Sequence, residues 1–134
     1  MKVLILDDSY SWQEFHKNNI EEIFIELDIK NYQIDTVSWA KEGYDAVMQN
    51  INEPYQLIIS DLQMEDDFRP QFAGEWFAEQ VKTFKQYLNT KIVLCSASYN
   101  IKQIAENLSV NFIPKRIAIT DINSYKNSII ELLK

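Results

Sequence analysis

The sequence predicts a single α/β domain with a parallel β-sheet that carries helices on both faces. Short apolar segments that suit buried strands alternate with longer segments in which apolar residues recur at helical spacing. This strand-then-helix unit occurs five times, and strict alternation of that kind is typical of parallel sheets. Two of the strands, at 2–6 and 57–60, end on carboxylates, which are Asp7 and Asp8 in the first case and Asp61 in the second.

The predicted strands are short and rich in aliphatic residues. The segment 57–60 is apolar or small throughout, and Pro54 and a run of acidic residues bound it, which favours a buried strand over a helix. The segment 32–39 alternates and contains β-branched residues, as a strand does. The full set of predicted strands is 2–6, 32–39, 57–60, 91–95 and 110–113.

Amphipathic segments follow the strands and predict helices. The first follows Ser9 and Ser11, whose hydroxyls could cap a helix, and the second is stopped before Pro54. An acidic, Pro-containing loop at 65–70 precedes the third helix. Apolar residues mark the five helices over 12–27, 39–48, 72–88, 101–108 and 122–133.

Composition narrows the class of protein. With 134 residues, of which 46% are hydrophobic and 25% charged, the chain is long enough for one folded core. A net charge of −7 argues against binding to nucleic acid, which requires clustered Lys and Arg. The apolar segment 2–6 is too short for a signal peptide or a membrane span, and the only Cys, Cys95, cannot form an internal disulfide. We therefore expect a cytoplasmic protein without a membrane partner.

The scarcity of glycine excludes several kinds of phosphate-binding loop. Gly43 and Gly74 are the only glycines, so neither a dinucleotide-binding fingerprint nor a Walker motif is present. The loop after the first strand reads Asp-Asp-Ser, which does not favour a flavin phosphate site either.

Polar residues follow four of the predicted strands and are expected to converge at one edge of the sheet. They are Asp7 and Asp8, Asp61, Ser96 and Lys115. Clustered carboxylates repel one another unless a cation shares the site, and oxygen ligands of this kind suit Mg²⁺. A cation, a hydroxyl and an ammonium together could neutralise a phosphoryl group in transfer, with one carboxylate as the nucleophile.

This pattern resembles the receiver domain of two-component response regulators, the CheY-like superfamily, over essentially the whole chain. The resemblance implies a flavodoxin-like (βα)5 fold with strand order 2-1-3-4-5, and one receiver domain over 1–134 with no effector domain. It implies phosphoryl transfer from the phosphohistidine of a sensor histidine kinase or phosphotransfer protein, and a protein effector downstream. It also implies a monomer or weak dimer that is not a metabolic enzyme, apart from slow self-dephosphorylation.

The resemblance assigns a role to seven positions. It makes Asp61 the phosphoacceptor and Lys115 and Ser96 the other catalytic residues, with Lys115 paired to the phosphoryl group. The ligands of Mg²⁺ (or Mn²⁺) would be Asp7, Asp8, Asp61 and the Gln63 backbone carbonyl. Ser96 and Phe112 would be the switch residues.

The sequence departs from the receiver pattern in the loops. Glu65 and Arg116 stand where the family usually has Pro, while Pro114 precedes the Lys, and Gly74 lies several residues further on than usual. These departures leave a receiver-fold interaction module that is not phosphorylated as the alternative function. A hydrolase of the haloacid dehalogenase type is disfavoured, because no Asp lies two residues after any candidate nucleophile.

Other polar and aromatic residues have simpler interpretations. We expect His16 to lie at the surface, because it sits in mid-helix beside Lys17. Cys95 lies in an apolar strand and is expected to be a buried, unreactive thiol. The tryptophans fall at core spacing and are expected to pack in the interior; these are Trp12, Trp39 and Trp76.

Overall fold

The computed structural model describes residues 1–64 and 73–134, and its sheet confirms the predicted topology. The described residues form five parallel strands in the order β2-β1-β3-β4-β5. The strands are β1 (Lys2–Leu6), β2 (Gln33–Val37), β3 (Leu57–Ser60), β4 (Lys91–Ser96) and β5 (Asn111–Pro114).

Helices follow the strands, and they differ from the prediction chiefly at the end of the third helix and in one additional short helix. The described helices are α1 (Tyr10–Glu26), α2 (Ala40–Gln49), α3 (Ala73–Thr83), α4 (Ile101–Leu108), α5 (Lys115–Thr120) and α6 (Ile122–Leu133). The third helix was expected to reach residue 88, but it ends at Thr83 and a 3₁₀ turn follows at Lys85–Tyr87. The predicted acidic loop at 65–70 and Phe72 lie outside the described residues.

The last helix has the predicted bounds 122–133, but a short helix that the apolar pattern did not predict precedes it. A separate six-residue helix, α5, begins at Lys115 directly after β5. Asp121 separates it from α6, and its side chain caps α6 by accepting a hydrogen bond from the Ser124 amide. The backbone of Lys115 is therefore fixed between the end of β5 and the first turn of α5.

The sheet separates two main hydrophobic clusters. Successive side chains of β1 point to opposite faces, as in any strand. Val3 and Ile5 belong to the cluster that includes residues of α1 and α6, whereas Leu4 and Leu6 belong to the cluster that includes residues of α2 and α3. All four side chains are buried, so β1 is covered on both faces, as the prediction of helices on both sides requires.

The register of the strands brings their carboxyl ends together. Leu6 of β1 is the pairing partner of Ser60 in β3, so the residues that follow them, Asp7 and Asp61, are neighbours. Strand β4 continues two residues beyond Leu94, the partner of Ser60, and thus carries Ser96 further along the same edge.

Burial corrects the expectation for two of the tryptophans and confirms that for the cysteine. Trp39 is 47% exposed and Trp76 41% exposed, so neither is a core residue, and Trp12 is half-buried. Cys95 is fully buried, and this burial raises the pKa of its thiol to about 12, so it remains protonated at neutral pH. Within residues 1–64 and 73–134, no helix combines the length and apolar character needed to span a membrane.

Candidate functional site

Three carboxylates meet at the carboxyl edge of the sheet. Each of Asp7, Asp8 and Asp61 places one oxygen within 4.8 Å of an oxygen from the other two. Asp7 is fully buried and Asp61 is 7% exposed, because both directly follow central strands. The convergence expected from the parallel topology is therefore present, and it concentrates negative charge in a region with little solvent.

Lys115 lies between two of these carboxylates. Its Nζ is 2.9 Å from Asp61 Oδ2 and 3.0 Å from Asp7 Oδ2, and its side chain is only 12% exposed. Burial alone would lower the pKa of Lys115, but the ion pairs with Asp61 and Asp7 outweigh that effect and raise it. The ammonium is therefore charged at neutral pH and offsets part of the acidic charge.

Asp7 is the most constrained of the three carboxylates. Its Oδ1 accepts a hydrogen bond from the Ser9 amide at 2.9 Å. Its Oδ2 is buried, and no donor in the described part of the chain is aligned to hydrogen-bond with it, although the Lys115 ammonium is close. Burial raises the pKa of Asp7, and the Ser9 hydrogen bond and the Lys115 charge offset this only in part. An under-satisfied buried oxygen is a position where a bound cation would be favourable.

The backbone holds Asp61 in one orientation. Its amide donates to the Leu6 carbonyl at 2.9 Å, and its Oδ1 accepts from the Leu62 amide at 2.7 Å. Oδ2 is the oxygen that accepts from Lys115. Both carboxylate oxygens therefore have fixed donors, and the side chain is oriented before any ligand binds.

Gly74, at the start of α3, packs directly against the backbone of this aspartate. A Cβ at this position would lie 2.0 Å from the Asp61 carbonyl oxygen and 2.6 Å from Leu62 Cα. The Gly74 amide also donates to the Leu62 carbonyl at 2.9 Å. Only glycine allows α3 to approach the 61–62 segment this closely. The sequence suggested Gly74 only through the family pattern, and its contact with Asp61 depends on the tertiary structure.

An open cleft of about 630 Å³ lies over the site. It is lined by five of the predicted site residues, which are Asp8, Asp61, Gln63, Ser96 and Lys115. Glu75, Ser98, Tyr99 and Asn100 also line it, and they were not predicted. The strand pattern could not identify these four residues, because they lie in a helix or in a loop whose path depends on packing.

The two predicted switch residues lie in different environments. Ser96 is 2% exposed, and its Oγ accepts a hydrogen bond from the Ser98 amide at 3.2 Å, at the wall of the cleft. Phe112 is half-buried and packs against the cluster that contains Leu62 and Leu94. It is not among the residues that line the cleft. The switch role of either residue stays a prediction.

His16 was expected at the surface, and this prediction is wrong. The side chain is 1% exposed, and its Nδ1 shares a hydrogen bond of 2.6 Å with the Tyr125 hydroxyl of α6. Burial, with a further contribution from the charge of Lys115, lowers the pKa of His16 to about 3. The imidazole is therefore neutral in the folded protein and connects α1 to α6.

The buried His16 predicts a pH-dependent stability. Its pKa is lowered in the folded state, so between about pH 6.5 and pH 3 the unfolded chain binds a proton that the folded chain does not. Stability is then lost as the pH falls through this window, by about 1.4 kcal/mol per pH unit from this group. Urea unfolding between pH 6.5 and 4 should show a shallower pH slope for His16→Gln than for wild type. Equal pH slopes for the two proteins would contradict the lowered pKa of His16.

The residues at this edge fit a divalent cation. The donor set consists of carboxylate oxygens, which Mg²⁺ prefers, and the three carboxylates share the charge of Lys115, which is in contact with two of them. Asp7, Asp8 and Asp61 would hold the ion. The Gln63 backbone carbonyl stays a predicted fourth ligand; Gln63 itself lines the cleft beside Asp61.

Comparison with known proteins identifies the fold of the chain through solved structures. No protein-family model matches the sequence, and no curated protein is significantly similar to it. The signal receiver domain of a DNA-binding response regulator from Colwellia psychrerythraea has a TM-score of 0.75 and 14% identity, over 99% of this chain and 98% of that one. The HemR receiver domain from Leptospira biflexa has a TM-score of 0.70 and 16% identity, over 96% and 93%. The chemotaxis response regulator CheY4 of Vibrio cholerae has a TM-score of 0.63 and 22% identity, over 85% of each chain. The chain therefore has the CheY-like fold of response regulator receiver domains.

Proposed function

We propose that this protein is a receiver that accepts a phosphoryl group on Asp61 in a Mg²⁺-dependent reaction. The observation that carries the proposal is the position of Asp61. Its carboxylate lies beside two other carboxylates and a charged Lys115, and it faces an open cleft. A nucleophile, a cation site and an ammonium within contact distance are the groups that phosphoryl transfer to a carboxylate requires.

The residues of the chain would act as follows. A carboxylate oxygen of Asp61 attacks the phosphorus of a phosphohistidine, an O–P bond forms, and the P–N bond breaks to release the imidazole of the donor. Lys115, already within 2.9 Å of Asp61, pairs with the phosphoryl oxygens as their charge develops. The bound metal ion would supply further neutralisation of the phosphoryl oxygens. The donor is a sensor histidine kinase or a phosphotransfer protein.

The proposed output is a change in a protein-interaction surface. An aspartyl phosphate adds about 1.5 to 2 negative charges at the site. Ser96, at the wall of the cleft, is the hydroxyl that would turn toward this group, and Phe112 would repack in the space beside it. The receiver would act through contact of this surface with a protein effector.

Intact mass spectrometry after incubation with acetyl phosphate tests this function. We expect one added phosphoryl group with Mg²⁺ and none with EDTA. A purified histidine kinase or phosphotransfer protein serves as a second donor, because a small donor reports only the intrinsic reactivity of the site. The absence of an adduct with every donor would favour the alternative function, a receiver-fold interaction module that is not phosphorylated. The features of the sequence that favour this alternative are the two missing prolines, where Glu65 and Arg116 stand, and the lengthened acidic loop before Gly74.

Asp8→Ala should abolish the stabilisation of the protein by Mg²⁺. A ligand that binds only the folded state at a hundredfold excess over its Kd stabilises it by about 2.7 kcal/mol. Thermal unfolding with increasing Mg²⁺ should therefore show a rising midpoint for wild type and a flat one for Asp8→Ala. Asp45→Ala is the matched control, since Asp45 is a half-exposed surface carboxylate on α2. An equal rise in both variants would place the cation elsewhere.

A further inference from the structure

An aromatic ring lies against the ammonium of Lys115. The Nζ is 4.7 Å from the centroid of the Trp12 ring, within the range of a cation–π interaction. The same Nζ contacts Asp7 and Asp61 at 3.0 and 2.9 Å. Two carboxylates and one indole ring therefore confine this ammonium.

The Trp12 ring is itself held in place. It lies in the first turn of α1, and its centroid is 5.0 Å from that of Phe15 in an edge-to-face arrangement and 5.6 Å from that of His16. Phe15 and His16 both contact the ring of Tyr125 in α6. Trp12 is thus the end of an aromatic cluster that connects α1 with α6, and its ring cannot turn away from Lys115 without disturbing that cluster.

We propose that Trp12 is a positioning residue for Lys115. A lysine ammonium is a point charge on a flexible four-carbon stem, and holding it in one place costs conformational entropy. The fixed face of the Trp12 ring favours a position of the Lys115 ammonium that is also close to Asp61. Without the ring, the ammonium is free to move toward solvent or to pair only with Asp7. The consequence for phosphoryl transfer rests on the function proposed above, whereas the position of Lys115 does not.

The position of Lys115 can be measured without any phosphoryl donor. Protons over an aromatic ring face are shielded, so the ε-methylene NMR signals of Lys115 should lie upfield in wild type. These signals are assigned by their loss in Lys115→Arg. They should move downfield in Trp12→Leu and keep part of the upfield shift in Trp12→Phe, which retains a ring. Trp39→Leu is the matched control, because Trp39 is a half-exposed tryptophan outside this cluster, and it should leave the signals unchanged. Unchanged Lys115 signals in Trp12→Leu would overturn the proposal.

The rate of phosphorylation by acetyl phosphate gives the second readout. We expect Trp12→Leu to lower the initial rate about threefold to tenfold, the factor that corresponds to a cation–π contact of ordinary strength, and Trp12→Phe to restore most of it. A Trp12→Phe variant as slow as Trp12→Leu would overturn the role of the ring face. If wild type accepts no phosphoryl group, the proposed function fails, and the NMR measurement still decides whether Trp12 positions Lys115.

Discussion

Asp61→Asn is expected to abolish phosphoryl uptake completely. The amide has nearly the shape of the carboxylate, and its single oxygen can still accept from the Leu62 amide, which lies 2.7 Å from Asp61 Oδ1, whereas its nitrogen replaces the oxygen that accepts from Lys115 at 2.9 Å. It has no nucleophilic carboxylate oxygen, however, and cannot form an acyl phosphate. The measurement is the intact mass of each variant after incubation with acetyl phosphate and Mg²⁺.

Asp45→Asn is the matched control for this experiment. Asp45 is a half-exposed carboxylate on α2 whose ion pair is with Lys41, so its removal should leave phosphoryl uptake at the wild-type level. An adduct of wild-type amount on Asp61→Asn would show that another group is the acceptor. In that case Asp7 and Asp8 would be the next candidates, since they are the other carboxylates of the cluster.

Gly74→Ala is expected to have the largest effect on stability of the changes considered. In a helix, Ala is ordinarily favoured over Gly by about 0.5–1 kcal/mol. Here the new Cβ would lie 2.0 Å from the Asp61 carbonyl oxygen and 2.6 Å from Leu62 Cα, and these backbone atoms cannot rotate away. We expect a loss of about 3 kcal/mol in the free energy of unfolding, at the upper end of overpacking costs. Displacement of Asp61 should also reduce phosphoryl uptake.

Gly43→Ala is the comparison for this measurement. A Cβ at Gly43 would first meet the Leu6 methyl groups at 2.7 and 2.9 Å, and these are the ends of a side chain that can change its rotamer. We expect a cost of about 1 kcal/mol, since the core must repack. Urea unfolding of the two variants measures the difference. A cost for Gly74→Ala no greater than that for Gly43→Ala would contradict the close approach of α3 to Asp61.

The sequence predicts the central strands and the convergence of the site accurately. The predicted bounds of the first and third strands, 2–6 and 57–60, are those of β1 and β3 in the structure. Strands buried on both faces read as continuous apolar runs, and runs this short favour strands over helices. Because parallel strands align their carboxyl ends, the proximity of Asp7, Asp61 and Lys115 also follows from their places in the sequence. The order of the strands came from the family resemblance, since local patterns do not encode which strands are neighbours.

The sequence by itself thus determined the five strands and most of the helices, because apolar patterning is a local property, and the alternation of strands with helices indicated which charges share an edge. The tertiary structure alone decided how those charges are held. His16 was misassigned because its hydrogen-bond partner, Tyr125, is 109 residues away, and no helical pattern reports a contact at that distance. The indole ring of Trp12 lies beside Lys115 because α1 packs near the start of α5, and the absence of space at Gly74 arises because α3 packs against the 61–62 segment. These contacts arise from the packing of one element against another, which sequence periodicity does not describe.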